Sequence, residues 1–145
     1  MVYKSKVIET VDSVYQVAAR SDHFYKGFST VNSDNPGNSL YDLELIKQDI
    51  VNHFNTRKGE RLMNPEFGSI IWNLLMEPLT EETTEALRDD IKTICNSDPR
   101  VTPTQMDITE YPDGYLLELT LETVSTNQSF NMKLFFNQQI GLVVQ

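Results

Sequence analysis

Met106-Asp107-Ile108-Thr109, the turn Pro112-Asp113-Gly114 and the run Tyr115-Leu116-Leu117-Glu118-Leu119-Thr120-Leu121 decide the fold class, because here the apolar period is two. Met106 and Ile108 alternate with Asp107 and Thr109. Tyr115, Leu117, Leu119 and Leu121 alternate with Leu116, Glu118 and Thr120. Successive side chains of an extended chain point to opposite faces, so each run is a strand with one dry face. Pro112 presets a turn torsion and Gly114 tolerates positive φ, which predicts a hairpin between them. A third strand is expected over Phe130, Met132, Leu134 and Phe136, after the polar turn Ser125-Thr126-Asn127-Gln128-Ser129. A short edge piece follows at 140–144.

Upstream of Pro99 the period lengthens towards that of a helix. Leu43, Ile46, Ile50, Val51 and Phe54 share one face while Glu44, Lys47, Gln48 and Asn52 fall largely on the other, which predicts a helix over 40–56. Ser39 and Asp42 resemble a capping arrangement at its start, Arg57 and Lys58 are expected near the negative end of its dipole, and Gly59 can supply a left-handed stop. Ile70-Ile71-Trp72-Asn73-Leu74-Leu75-Met76 reads as a short buried helix ended by Pro78. Thr80 caps the next helix, Glu81 and Glu82 favour its first turn, and Leu87, Ile91 and Ile94 mark a buried stripe running to about Asn96. The fold class is therefore α+β: two long helices and one short helix packed on an antiparallel three- to four-stranded sheet, with an N-terminal arm. That arm, residues 1–39, closes with the turn-rich Asn32-Ser33-Asp34-Asn35-Pro36-Gly37-Asn38-Ser39. Val7, Val11, Val14 and Ala18 within it carry helical spacing. The domain proper is residues 40–145.

A chain of 145 residues can bury a single core without metal or disulfide staples. Cys95, the one cysteine, falls in the apolar-periodic stretch and reads as a packing thiol in a chain folded in a reducing cytosol. A net charge of -9 argues against phosphate-backbone binding, which needs a cationic face. No apolar run approaches the roughly 18–20 residues that cross a bilayer, and the first residues lack the apolar segment of a secretory signal. No cofactor, nucleic-acid or membrane partner is implied.

The most distinctive segment is Thr56-Arg57-Lys58-Gly59-Glu60-Arg61-Leu62-Met63-Asn64-Pro65-Glu66-Phe67-Gly68. It follows a helix and matches neither nucleotide-binding fingerprint, both of which place glycines between a strand and a helix. Arg57 and Lys58 are expected to serve the helix end and Phe67 to plug the core. Glu60, Arg61 and Asn64 are left as groups suited to a neighbouring chain. At Asp98-Pro99-Arg100 proline forbids further helix and brings an acid and a guanidinium together. The bland reading is a local ion pair; the functional one is that Arg100 donates in forked geometry to a partner. Glu60, Glu66, Glu77 and Asp98 are the acids outside solvated helix faces, and none sits in a pattern that predicts a glycosidase pair. His23 and His53 are isolated from metal or nucleophile spacings, and His53 reads as a surface residue.

Thr56-Arg57-Lys58-Gly59-Glu60-Arg61, Asn64-Pro65-Glu66-Phe67-Gly68 and Asp98-Pro99-Arg100, in that order and spacing, resemble the baseplate wedge proteins of contractile phage tails. That family also includes a baseplate protein of type VI secretion systems. The resemblance spans 40–136, and Asp98 departs from the family's usual Glu-Pro-Arg by one methylene. It implies a structural subunit without enzymatic activity, assembled in the host cytoplasm into the baseplate of a virion tail. Asp98, Pro99 and Arg100, with Arg57, Glu60, Arg61 and Asn64, would dock on a helical core bundle of other wedge subunits. The sheet, through Phe130, Met132, Leu134 and Phe136, would accept strands from the tail sheath protein and template the first sheath ring. Some members have been labelled lysozymes. The alternative function is therefore a peptidoglycan hydrolase with Glu60 or Glu66 as its acids.

Overall fold

The period-two stretch becomes the centre of a four-stranded antiparallel sheet in the computed structural model, which describes residues 24–29 and 39–145. The chain divides into two units between Leu45 and Ile46. The expected helical spacing at 7–18, the turn-rich 32–38 and His23 lie outside the described residues.

In the first unit β1 (Lys26–Phe28) and β2 (Ser39–Tyr41) pair antiparallel, with Gly27 opposite Leu40. Helix α1 (Asp42–Asn55) follows at once, two residues later than expected, because Ser39 is committed to the ribbon and does not cap. Asp42, at φ +44°, sets the corner: its carboxylate accepts the backbone N–H groups of Phe24 and Tyr25, each at 2.8 Å.

The second unit holds the rest of α1, the one-turn α2 (Ile71–Leu74), α3 (Glu81–Ser97) and strands β3 (Val101–Tyr111), β4 (Gly114–Thr123), β5 (Ser129–Asn137) and β6 (Gly141–Val144). The helices are 14, 4 and 17 residues long. Helix α2 is shorter than the 70–76 expected, and Met76 beyond it is exposed. Thr80 caps α3 as anticipated, in a reciprocal capping box with Thr83. Strand order follows chain order, β3-β4-β5-β6, as short hairpin links require. The register slips between Pro103 and Gln105, on the edge strand where a residue lacking an N–H is tolerated.

One face of this sheet is dry. Leu117, Leu119, Leu121, Leu134 and Phe136 are essentially inaccessible, as are Ile46, Phe54, Ile71, Leu87 and Ile91 from the helices. The layers meet at Phe136, whose ring packs edge-on to Phe54 at 6.1 Å and to Trp72 at 5.5 Å between centroids. Polar groups at this seam are paired. The Trp72 indole N–H donates to the Phe54 carbonyl (2.8 Å), and the Tyr115 hydroxyl reaches the carbonyls of Leu74 (3.0 Å) and Glu77 (2.7 Å). Cys95 is fully buried, and burial pushes its thiol up to about 11, so it is packing rather than nucleophile.

Candidate docking loop and cleft

The segment between α1 and α2 is a closed loop rather than an open connection. Its base is a parallel bridge between Arg57 and Ser69, reinforced by Lys58 N–H donating to the Ser69 carbonyl (3.3 Å) and Ser69 N–H to the Thr56 carbonyl (2.9 Å). Gly68 makes that closure feasible: at φ +119°, a Cβ there would lie 2.7 Å from Thr56 O and from the Arg57 carbonyl carbon. A second rung joins Gly59 N–H to the Pro65 carbonyl at 2.8 Å, and the tip is a turn in which Asn64 N–H donates to the Arg61 carbonyl at 3.2 Å. The Glu60 carboxylate folds back to accept the Arg57 N–H at 3.0 Å. Such compact loops with adjoining ends are held by their own contacts.

Asp90 of α3 anchors this loop to the body. It accepts from the Ser69 hydroxyl (3.0 Å), the Ile70 N–H (3.0 Å) and the Lys58 ammonium (3.3 Å), and its side chain is only 4% exposed. Three of the roughly four acceptor sites of this buried carboxylate are thus used locally. Lys58 therefore serves α3 rather than the end of α1, because a buried acid holds an ammonium more tightly than a solvated helix terminus. Arg57 instead lays its guanidinium over the Trp72 ring, 5.7 Å from the centroid.

Phe67 does not plug the core. Its ring is half-buried, stacked on His53 at 3.8 Å with an interplanar angle of 15°, and covered on its other side by the Arg61 guanidinium at 3.8 Å. Contact with a cation on one side and an imidazole on the other holds it at the surface of the fold. His53 is correspondingly half-buried rather than a plain surface residue. Burial lowers its pKa, the Asp90 charge opposes that, Arg61 adds to it and Asp98 opposes it.

This stack forms one wall of a cleft of about 500 Å³ whose other wall is Asp49, Ser97, Asp98, Pro99 and Arg100. Arg100 grips Asp98 in a fork, Nε to Oδ1 at 2.8 Å and Nη2 to Oδ2 at 2.7 Å, and Nη2 also meets Asp49 Oδ2 at 2.7 Å. The Arg100 backbone N–H adds 3.0 Å to Asp98 Oδ1, so Pro99 sits in a tight turn closed by its neighbours. Burial pushes the Asp98 carboxyl up, but the bonds and charge of Arg100 outweigh it and leave Asp98 below its ordinary value. The hydrogen bonds that Arg100 donates to Asp98, against the opposing effect of burial, raise its pKa, with Asp49 contributing. Among the described residues the ion-pair reading of this turn is thus a bidentate cluster of Arg100 with Asp98 and Asp49.

Of the expected docking residues, the fold gathers Arg61, Asp98, Pro99 and Arg100 around one cleft. Asn64 lines an adjoining cleft of about 370 Å³ with Glu66 and Lys58. Arg57 and Glu60 stand apart at the loop base. Phe130, Met132, Leu134 and Phe136 all point into the core, and β5 is an interior strand. Its pairing with β6 covers Leu134–Asn137, and Gln145 N–H reaches the Lys133 carbonyl. Sequence reasoning misses Asp49 and Asp90. For Asp90 a signal exists: it falls at the i+3 position from Leu87 and beside Ile91, on the buried stripe, where an acid requires partners. Among the described residues no cluster of metal ligands is present, and no helix is long and apolar enough to cross a membrane.

A family model described as baseplate wedge protein gp25 matches residues 41–127 of the chain. No curated protein matches. The crystal structure of a protein named as a tail lysozyme from Geobacter sulfurreducens is similar, with a TM-score of 0.54 at 22% identity over 65% of this chain and 92% of that one. At that identity the likeness is one of fold.

Proposed function

We propose that this chain, which belongs to the baseplate wedge protein gp25 family through the match over residues 41–127, is the wedge subunit that joins the core of a contractile baseplate to its sheath. Membership gives a structural role within a multi-subunit baseplate. The finer assignment rests on the cleft at Asp98-Pro99-Arg100. Its bidentate cluster fixes a turn and three charged groups in a partly exposed wall, a preorganised polar surface of the kind that gives a protein interface its specificity. Arg100 serves there mainly by holding Asp49 and Asp98 in place, and other wedge subunits are its partners.

The sheath partner is accommodated at the sheet. Lys133 turns its carbonyl to the β6 side, where Gln145 N–H meets it at 2.9 Å, and alternate residues of a strand face the same way. By the same alternation the backbone donors and acceptors of Asn131 and Ser129 face the β6 side. A strand from the sheath protein would add in line with β6, its affinity coming from backbone bonds rather than from Phe130–Phe136, whose side chains stay inside. A hydrolase would need a carboxyl pair across a sugar-sized cleft. Glu60 is tied to the Arg57 backbone N–H, and no observation favours that reading.

The test is co-purification of the chain with wedge and sheath proteins from its own genome. Wild type should bring down both. Arg100→Ala should lose the wedge proteins, and Asn131→Pro, which deletes one outward donor, should lose the sheath protein alone. Arg100→Ala that remains folded by circular dichroism and enters the wedge normally would refute the role given to the cleft.

A further inference from the structure

Leu62 and Met63 occupy the tip of the closed loop, and they are 95% and 98% exposed. Scattered apolar residues on a surface need no explanation, but these two are adjacent and nearly bare. They also ride on a backbone fixed at both rungs, by the Arg57–Ser69 bridge and the Gly59–Pro65 bond, and anchored through Asp90. The flanking residue Arg61 is itself pinned over Phe67 at 3.8 Å. A rigid mount removes most of the ordering entropy that a mobile loop would lose on binding, so the tip is preorganised to insert.

We propose that Leu62 and Met63 form an apolar plug that inserts into an apolar socket on a different protein subunit of the baseplate. The proposal rests on the reading of the chain as a baseplate subunit. Two side chains offer far less than the roughly 800 Å² that each partner of a standard interface buries, so the plug is one anchor of a larger contact. The face beside it supplies the remainder: Arg61 and Phe67 belong both to the loop and to the cleft wall that carries Asp98 and Arg100. A second copy of this chain offers a mixed rather than an apolar socket, because the clefts adjoining the loop set Asp49, Asp98, Arg100 and Lys58 beside Ile50 and Ile94. Leucine beside methionine suits an apolar pocket, methionine adapting its unbranched chain to whatever shape the socket has.

Two measurements test this on the full chain. In the first, Leu62→Asp/Met63→Asp and the conservative Leu62→Ile/Met63→Leu are compared with wild type for incorporation into baseplate subcomplexes. The conservative pair should incorporate as wild type does, and the aspartates should lower incorporation at least about tenfold while leaving the thermal midpoint unchanged. Normal incorporation of the aspartate variant, with wild type also incorporating, overturns the plug and leaves the baseplate role standing. Wild type that enters no subcomplex overturns both. In the second, dilute peroxide converts exposed methionines to sulfoxides, read by mass spectrometry. Met63 should oxidise rapidly in the free chain and at least about tenfold more slowly in the assembled particle. An equal rate in both overturns the proposal, as does binding of the free chain to neutral lipid vesicles that the aspartates abolish.

Discussion

Replacing Asp90 by alanine should be among the most damaging single changes in the described fold, although Asp90 sits on a helix whose neighbours Asp89 and Arg88 are exposed. The carboxylate accepts three hydrogen bonds, two of them from groups with no other route to an anion: the Ser69 hydroxyl at 3.0 Å and the Ile70 N–H at 3.0 Å. Bonds to a charged acceptor contribute about 1.5–3 kcal/mol each, and an unsatisfied buried donor costs a comparable amount. These two together give a loss of about 3–6 kcal/mol. Lys58 adds little, because its side chain is 33% exposed and its ammonium can return to water. Against a usual total of about 5–15 kcal/mol this is a large fraction. Asparagine keeps an acceptor oxygen but turns an amide towards the lysine, so it should cost roughly 1–2 kcal/mol. Equilibrium unfolding in urea reads both: with a slope of about 2 kcal/mol per molar, alanine shifts the midpoint by about 1.5–3 M and asparagine by about 0.5–1 M. If alanine costs under about 1 kcal/mol, or both substitutions cost the same, the buried acid does not anchor the loop.

Two further outcomes follow from the same region. Gly68→Ala and Gly59→Ala both place a side chain at positive φ, but only the first meets backbone, at 2.7 Å, while the second meets nothing within 4 Å. Gly59→Ala should cost about 1–2 kcal/mol and Gly68→Ala clearly more, with faster amide exchange at Lys58 and Ser69. His53, whose pKa in the fold lies below its ordinary value of about 6.5, makes the unfolded chain the better proton acceptor. Its contribution is therefore complete above about pH 6.5 and is lost as pH falls towards the folded value. The thermal midpoint of wild type should decline over that window, and that of His53→Gln should stay flatter.

Where a pattern is local and repeated, the chain can be read directly. The alternation at Tyr115–Leu121 carries its own period, and the structure returns it as the buried face of β4. Thr80 needs only its next three residues to act as a cap, and it does so. Three readings fail where a competing partner comes from elsewhere in the chain. Ser39 pairs in a ribbon with Phe28, eleven residues upstream in sequence, and so cannot cap α1. Hydrophobicity alone assigns Phe67 to the core, yet His53 and Arg61 offer its two faces contacts that keep it at the surface. Lys58 has the position of a helix-end cation, but α3 supplies Asp90, thirty-two positions away. The docking residues divide by the same logic. Asp98-Pro99-Arg100 is contiguous and its turn is legible, whereas the partnership with Asp49 spans 51 positions and is not.

The two anionic clusters of the fold are therefore not equivalent, although each pairs aspartate with a basic side chain. Asp90 is sealed, at 4% exposure, and its three bonds run to the loop it anchors, so no partner can reach it without opening that loop. Asp49 is 44% exposed at the rim of the cleft, and the same Nη2 that fixes it also fixes Asp98. A carboxylate oriented by a guanidinium and still facing solvent retains lone pairs for an incoming donor. Removing Asp90 should consequently alter stability and binding together, because the plug loses its mount. Removing Asp49 should leave stability within about 0.5–1 kcal/mol of wild type and act on association alone, since an exposed pair contributes little to folding. A loss of stability on Asp49→Asn as large as that on Asp90→Asn would show that the division by exposure is mistaken.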